Sequence, residues 1–160
     1  DKGHTALAEA VRIQRVDMVE LLLSCHANPN VVDEETGMTP LLYSISNKTY
    51  RITTILLKYG ADPNISNFKG VTGLMIAAAL GDINTCRLLV KYNINIDYVD
   101  YNGWNALFYS TLYNSIDVCD YLLCEGIDKD MRDNKNRRAL NIARYLNNGP
   151  IVALLESYKR

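Results

Sequence analysis

Few side chains in this chain can do covalent or metal chemistry, and their spacing limits what they can do. There are two histidines, His4 and His26, and four cysteines, Cys25, Cys86, Cys119 and Cys124. A zinc site needs Cys and His ligands that converge from close spacings, and no such pattern is present. The two histidines fall on different kinds of segment, a turn and a helix end, so they do not form an acid–base pair. Gly70-Val71-Thr72-Gly73 has the glycines and threonine of a phosphate loop but lacks the lysine that should follow. Asp33-Glu34-Glu35 reads as a solvated hairpin tip, with a metal cluster or a docking point for a basic partner as the alternatives. Asn47-Lys48-Thr49 fits a glycosylation acceptor, a match read as accidental given the cysteine usage described below. No catalytic, metal or cofactor site emerges, so the chain reads as a non-enzyme.

The elements that hold these residues are set by a regular beat. Leu7, Leu41, Leu74, Leu107 and Leu140 recur at intervals of 34, 33, 33 and 33 residues. Gly3, Gly37, Gly70 and Gly103 precede the first four at one offset, and Asn136 takes the fifth place. Asparagine tolerates the left-handed backbone best after glycine, so the slot predicts a turn with positive φ. Two residues later stand Thr5, Thr39, Thr72, Asn105 and Arg138, of which the first four carry an oxygen able to cap a helix. Pro40 at the next position suits the first turn of a helix. Two apolar helical stretches follow in every unit, and the second ends at His26, Gly60, Asn93 or Gly126, which relieve a helix terminus. The linking segments close on Asn30, Asn64, Asp97 and Asp130, whose side chains can bond nearby backbone.

These residues resemble the ankyrin repeat family, whose period is 33 and whose first helix opens T-P-L-H-x-A. Thr39-Pro40-Leu41, Thr5-Ala6-Leu7 with Ala10, and Leu56-Leu57-Lys58-Tyr59-Gly60-Ala61-Asp62-Pro63-Asn64 carry the likeness over the whole chain. The resemblance implies an all-α solenoid of about five stacked hairpin–helix–turn–helix units, with bounds near 1–31, 32–65, 66–98, 99–131 and 132–160. It also implies a protein or peptide partner. In some members an asparagine in a Leu-x5-Asp-x-Asn context is hydroxylated, and Leu56, Asp62 and Asn64 match that spacing; hairpin hydrogen bonding by Asn64 is the simpler reading. The family's histidine after the leucine is replaced by Ala8, Leu42, Met75, Phe108 and Asn141, so more cohesion must be apolar. Unit two has one extra residue in Asp33-Glu34-Glu35-Thr36-Gly37, an insertion that a hairpin tip tolerates.

One such unit cannot bury its apolar side alone; stability comes from neighbours in a nearly one-dimensional stack. The 160 residues, 48% of them hydrophobic, suffice for five. The opening Asp1-Lys2-Gly3 falls inside a hairpin, which suggests a segment of a longer protein, expected to be a monomer in isolation. A net charge of −1, with both signs interspersed, gives no field for nucleic acid or an anionic membrane. No apolar run reaches the roughly 18 residues of a membrane span, and no signal peptide is visible. Cys86 and Cys119 share one slot with Val19, Thr53 and Val152 and read as buried hydrophobes. Cys25 and Cys124 are three units apart, too far to bridge. Reduced thiols imply the cytoplasm or nucleus.

Functional information should therefore sit where packing does not dictate the residue, on the concave side lined by hairpin tips and first helices. Phe68, Tyr101 and Trp104 occupy hairpin slots expected to face solvent. The two positions that close the first helix read Arg12-Ile13, Ser46-Asn47, Ala79-Leu80, Leu112-Tyr113 and Tyr145-Leu146, and become more apolar from unit three onward. Phe68, Leu80, Tyr101, Trp104, Leu112, Tyr113 and Tyr145 are thus expected to form one exposed aromatic strip that binds a partner. The alternative is that Trp104 or Leu112 folds onto the neighbouring unit. A second functional reading is a substrate-recruiting part of a larger enzyme or effector.

Overall fold

The computed structural model describes residues 5–158 and, among them, contains ten α-helices and no strand. Gly3 and His4, assigned to a turn from the sequence, lie outside the described residues. The helices come in five pairs, a seven-residue helix followed by a nine-residue one: α1 (Ala6–Arg12) with α2 (Val16–Ser24), α3 (Pro40–Ser46) with α4 (Tyr50–Lys58), α5 (Gly73–Ala79) with α6 (Ile83–Lys91), α7 (Ala106–Leu112) with α8 (Ile116–Cys124), and α9 (Ala139–Tyr145) with α10 (Gly149–Ser157). Helices this short are marginal alone in water, so packing must hold them.

Three of the five first helices are capped by the oxygen that the sequence places before them. Thr5 accepts from the Ala8 N–H at 3.1 Å, Thr39 from Leu42 at 3.2 Å, and Asn105 from Leu107 at 3.1 Å. At Thr72 the backbone N–H meets the Met75 sulfur at 3.4 Å. Arg138 has no such oxygen, and Asn141 takes over: its Oδ1 accepts the Arg138 N–H at 2.8 Å. The second helices end on left-handed residues, His26, Gly60, Asn93 and Gly126, with φ between 59° and 90°.

The core is one continuous cluster running through all five pairs. Leu7, Leu41, Leu74 and Leu107 are buried, while Leu140 is half-buried. Leu42, Met75 and Phe108, which replace the family histidine, are fully buried, so units cohere through apolar contact there. Cys86 and Cys119 are buried and burial raises both thiols, Cys86 to about 12; Cys25 and Cys124 are exposed.

Polar bonds tie the units along one edge. Asn30 Oδ1 accepts the Asp62 N–H, Asn64 Oδ1 the Asn95 N–H, and Asp97 Oδ1 the Asp128 N–H, each at 2.8 Å. The hairpin tips are linked as well: Phe68 donates to the Thr36 carbonyl, Tyr101 to that of Lys69, and Asn134 to that of Asn102, at 3.0–3.2 Å. Neighbouring first helices approach one another more closely than neighbouring second helices do. Unequal approach on the two sides of a stack curves it, and here it curves toward the first helices.

Candidate partner-binding face

The hairpin that precedes each first helix is organised by one buried or half-buried side chain. Asp33, Asn67, Asp100 and Asp133 each use Oδ1 to accept two backbone N–H groups of their own turn, at 2.8–3.0 Å. Three of these are carboxylates with little access to water, and a buried charge needs partners for its second oxygen. Asp33 Oδ2 accepts from the Tyr43 hydroxyl at 3.5 Å, and Asp100 Oδ2 from the Tyr109 hydroxyl at 2.8 Å. In unit five the equivalent of these tyrosines is Ile142, and Asp133 Oδ2 is served instead by Arg137 at 2.7 Å and by the Trp104 indole N–H at 3.0 Å. In unit three the turn residue is the neutral Asn67 and Ile76 stands in the tyrosine slot. Tyrosine occupies that slot in the two units whose carboxylate has no arginine of its own turn.

Asp33 therefore corrects the expectation of a solvated acidic tip. It is buried and bonded within its turn, while Glu34 and Glu35 are exposed, and among the described residues no group of three or more Asp, Glu, His or Cys is placed to hold a metal. The extra residue is absorbed in the turn: the Gly37 N–H reaches back four residues to the Asp33 carbonyl, where Gly70, Gly103 and Asn136 reach back three. Burial raises the Asp133 carboxyl, but the Arg137 guanidinium, two backbone N–H groups and the indole outweigh it and hold the group down to about 2. Burial first, then the bond to Asp100, pushes the Tyr109 hydroxyl well up. These groups stay charged and neutral respectively near neutral pH, so their role is to fix the hairpins rather than to move protons.

The seven residues expected to form one strip separate into two rows. Phe68, Tyr101 and Trp104 lie at the hairpin end of the first helices, and Leu80, Leu112, Tyr113 and Tyr145 at the opposite end. The length of a first helix, about 10 Å for seven residues at 1.5 Å per residue, separates the rows. Phe68, Tyr101, Tyr113 and Tyr145 are 55%, 74%, 59% and 85% exposed. Leu80 and Leu112 are half-buried, Leu112 against the core.

Trp104 was expected to face solvent and instead is half-buried on its neighbours. It stacks on Phe108 with ring centres 5.5 Å apart, meets Tyr109 edge-on at 5.8 Å, and bonds across to Asp133 of the next unit. Tyr43, Ile76 and Tyr109, which sequence reasoning missed, are half-buried midway along the first helices, and Tyr109 meets the Trp104 ring. Their regular offset of two from Leu41, Leu74 and Leu107 was available as a signal. On the other side of the stack, Tyr121 is buried under the Arg87 guanidinium, 4.6 Å from its ring centre, and Tyr92 packs on the core, whereas Tyr59 is exposed.

The exposed hairpin aromatics are also held from behind. A Cβ at Gly37 would lie 2.6 Å from a Phe68 ring carbon, and one at Gly70 would lie 3.1 Å from a Tyr101 ring carbon. Each ring thus rests on the glycine of the preceding tip, which confines its orientation while leaving its outer side open.

With this geometry in view, comparison with known proteins is decisive on family. A model of ankyrin repeats, three copies in length, matches residues 1–67 and 64–133. The chain belongs to the ankyrin repeat family. Among the curated relatives that the chain matches, human 2-5A-dependent ribonuclease is 38% identical over 77 residues, 48% of this chain and 10% of that protein. The zebrafish (Danio rerio) neurogenic locus notch homolog protein 1 is 36% identical over 46% of this chain and 3% of its own length. The mouse (Mus musculus) B-cell lymphoma 3 protein homolog is 32% identical over 50% of this chain and 18% of its own. The chain thus spans less than a fifth of each of these relatives. Ankyrin arrays are generally protein-interaction modules, and among the described residues no helix is long and apolar enough to cross a membrane.

Proposed function

We propose that this ankyrin array binds a protein or peptide partner across its concave face, using Phe68 and Tyr101 at the hairpin end and Tyr113 and Tyr145 at the far end of the first helices. Leu80, Leu112 and Trp104 support that surface, with Trp104 contributing the open edge of its ring. The observation that carries this reading is the fixed presentation of exposed aromatics. Phe68 and Tyr101 rest on glycines of the neighbouring tips, and the tips are themselves tied by backbone bonds. A surface ordered before contact loses little further freedom on binding, and aromatic anchors dominate interface energetics.

The partner is a protein segment rather than nucleic acid, in keeping with a net charge of −1. The unpaired thiols support a reducing compartment, cytoplasm or nucleus, and the array is expected to act as a monomer. Asn64 is exposed and its Oδ1 already serves the Asn95 N–H, which supports a structural duty for it whether or not it is hydroxylated. The likeness to a ribonuclease favours a second reading, in which the array recruits substrate for an enzyme or effector whose catalytic part lies outside residues 1–160.

The test is capture of a partner by the parent array and by Tyr113→Ala and Tyr145→Ala variants. Both side chains are exposed, so helicity and melting should change little, while capture should weaken by more than about 1 kcal/mol for a hot-spot residue. Undiminished capture by the double variant would overturn the assignment of this row.

A further inference from the structure

Hairpin tips two to five present one structural slot in four chemical versions. The N–H groups of Phe68, Tyr101 and Asn134 bond to the carbonyls of Thr36, Lys69 and Asn102 on the tip before, which lines these tips up in a single row. From unit two to unit five the row carries Glu34 and Glu35, then Phe68 and Lys69, then Tyr101 and Asn102, then Asn134 and Lys135, all of them exposed. Two aromatic rings stand in the middle, and the two ends differ in sign.

That difference is not cancelled locally. Residues 33–38 hold three carboxylates and no base, whereas residues 133–138 hold three bases and one carboxylate. Among the described residues Glu34, Glu35 and Lys135 have no ion pair, while Arg138 is engaged by Asp130 at 3.4 Å. Between tips four and five lies a recess of about 250 Å³, bordered by Asn102, Trp104, Lys135 and Arg137 around Asp133. Both Asp133 oxygens are already occupied, by the Lys135 and Arg137 backbone N–H groups, the Trp104 indole, and the Arg137 Nε and Nη2. What the recess offers an incoming group is therefore donors: the Lys135 ammonium and the remaining Nη1 of Arg137. A carboxylate is the complement of that pair.

Given the concave-face binding proposed above, we infer that the partner is an extended segment of opposite charge at its two ends. An Asp or Glu side chain enters the recess at Lys135 and Arg137, apolar side chains cover Phe68 and Tyr101, and a Lys or Arg meets Glu34 and Glu35. Helices packed side by side lie about 8–10 Å apart, so the three steps from tip two to tip five cover about 24–30 Å. An extended chain rising about 3.3 Å per residue crosses that distance in about eight residues. The two ends are separated by more than the screening length of about 8 Å at physiological salt, so each acts as an independent local contact.

A displayed library of random twelve-residue peptides, selected on residues 1–160, tests this. Selected peptides should carry basic and acidic residues about eight positions apart with apolar residues between them. Lys135→Glu should weaken such a peptide about tenfold, and exchanging the peptide's acidic residue for Lys should restore binding. Glu34→Lys with Glu35→Lys should do the same at the basic end. These side chains are exposed and unpaired, so circular dichroism and melting should not change. Binders that show this charge order but ignore Tyr113→Ala and Tyr145→Ala would uphold the inference and remove only the far row of tyrosines from the binding face. Binders lost in those tyrosine variants but without the charge order, or a loss at Lys135→Glu that the exchanged peptide does not restore, would overturn the inference alone. A library that yields no binder would overturn it together with the concave-face reading.

Discussion

Trp104 separates packing from recognition more sharply than any other side chain here. Trp104→Phe keeps a ring to stack on Phe108 and deletes the indole N–H that meets Asp133 at 3.0 Å, together with the smaller ring of the indole. A hydrogen bond to a charged acceptor contributes about 1.5–3 kcal/mol. Asp133 Oδ2 retains Arg137 at 2.7 Å, so the lost bond should cost no more than the bottom of that range, about 1–1.5 kcal/mol. Trp104→Ala also removes a half-buried ring. Taking half of the 3–5 kcal/mol typical of a fully buried tryptophan brings the total to about 3 kcal/mol. Urea unfolding followed by far-ultraviolet circular dichroism suits the measurement, because the substitution removes the chain's single tryptophan. A double-mutant cycle with Asp133→Asn should return a coupling of about 1 kcal/mol. If Trp104→Phe stayed within about 0.3 kcal/mol of the parent and showed no coupling, the indole would be bonded to solvent and the packing argument would fail.

Other outcomes follow from the same contacts. Gly37→Ala and Gly60→Ala both place alanine at positive φ, which should cost about 1 kcal/mol each. Only Gly37 would also strike Phe68, so its midpoint of denaturation should fall further than that of Gly60→Ala, which has open space around its Cβ. Asp133 is held at about 2 when folded against about 3.9 when unfolded. Its contribution of about 2 kcal/mol is complete above pH 4 and is lost as pH falls toward 2, so Asp133→Asn should flatten that part of a stability–pH profile. Thiol alkylation of the folded chain should modify Cys25 and Cys124 and spare Cys86 and Cys119 until denaturant is added, as read by peptide mass spectrometry.

The helix pairs and their turns were legible because both are local: leucine spacing, cap residues and left-handed slots declare themselves within a few positions. Asn136, a turn residue by position, indeed adopts a φ of 60°. What depended on contact between units was harder to read. Trp104 sits at a slot that template reasoning leaves to solvent, yet a carboxylate 29 residues later draws it inward. Asp33 looked solvated beside two glutamates because sequence does not reveal that its turn folds N–H groups around it. The cap on α9 was missed for a related reason: the oxygen comes from Asn141, three residues inside the helix, rather than from the expected position.

The five-residue turn from Asp33 to Gly37 shows that a longer tip can close on its own carboxylate while the Thr36 carbonyl still reaches Phe68. Loop length at that corner is therefore uncoupled from the register of the stack. Added sequence between Glu34 and Glu35 would hang outside the frame, which makes this corner the place to graft a foreign recognition loop with the least disturbance to the scaffold.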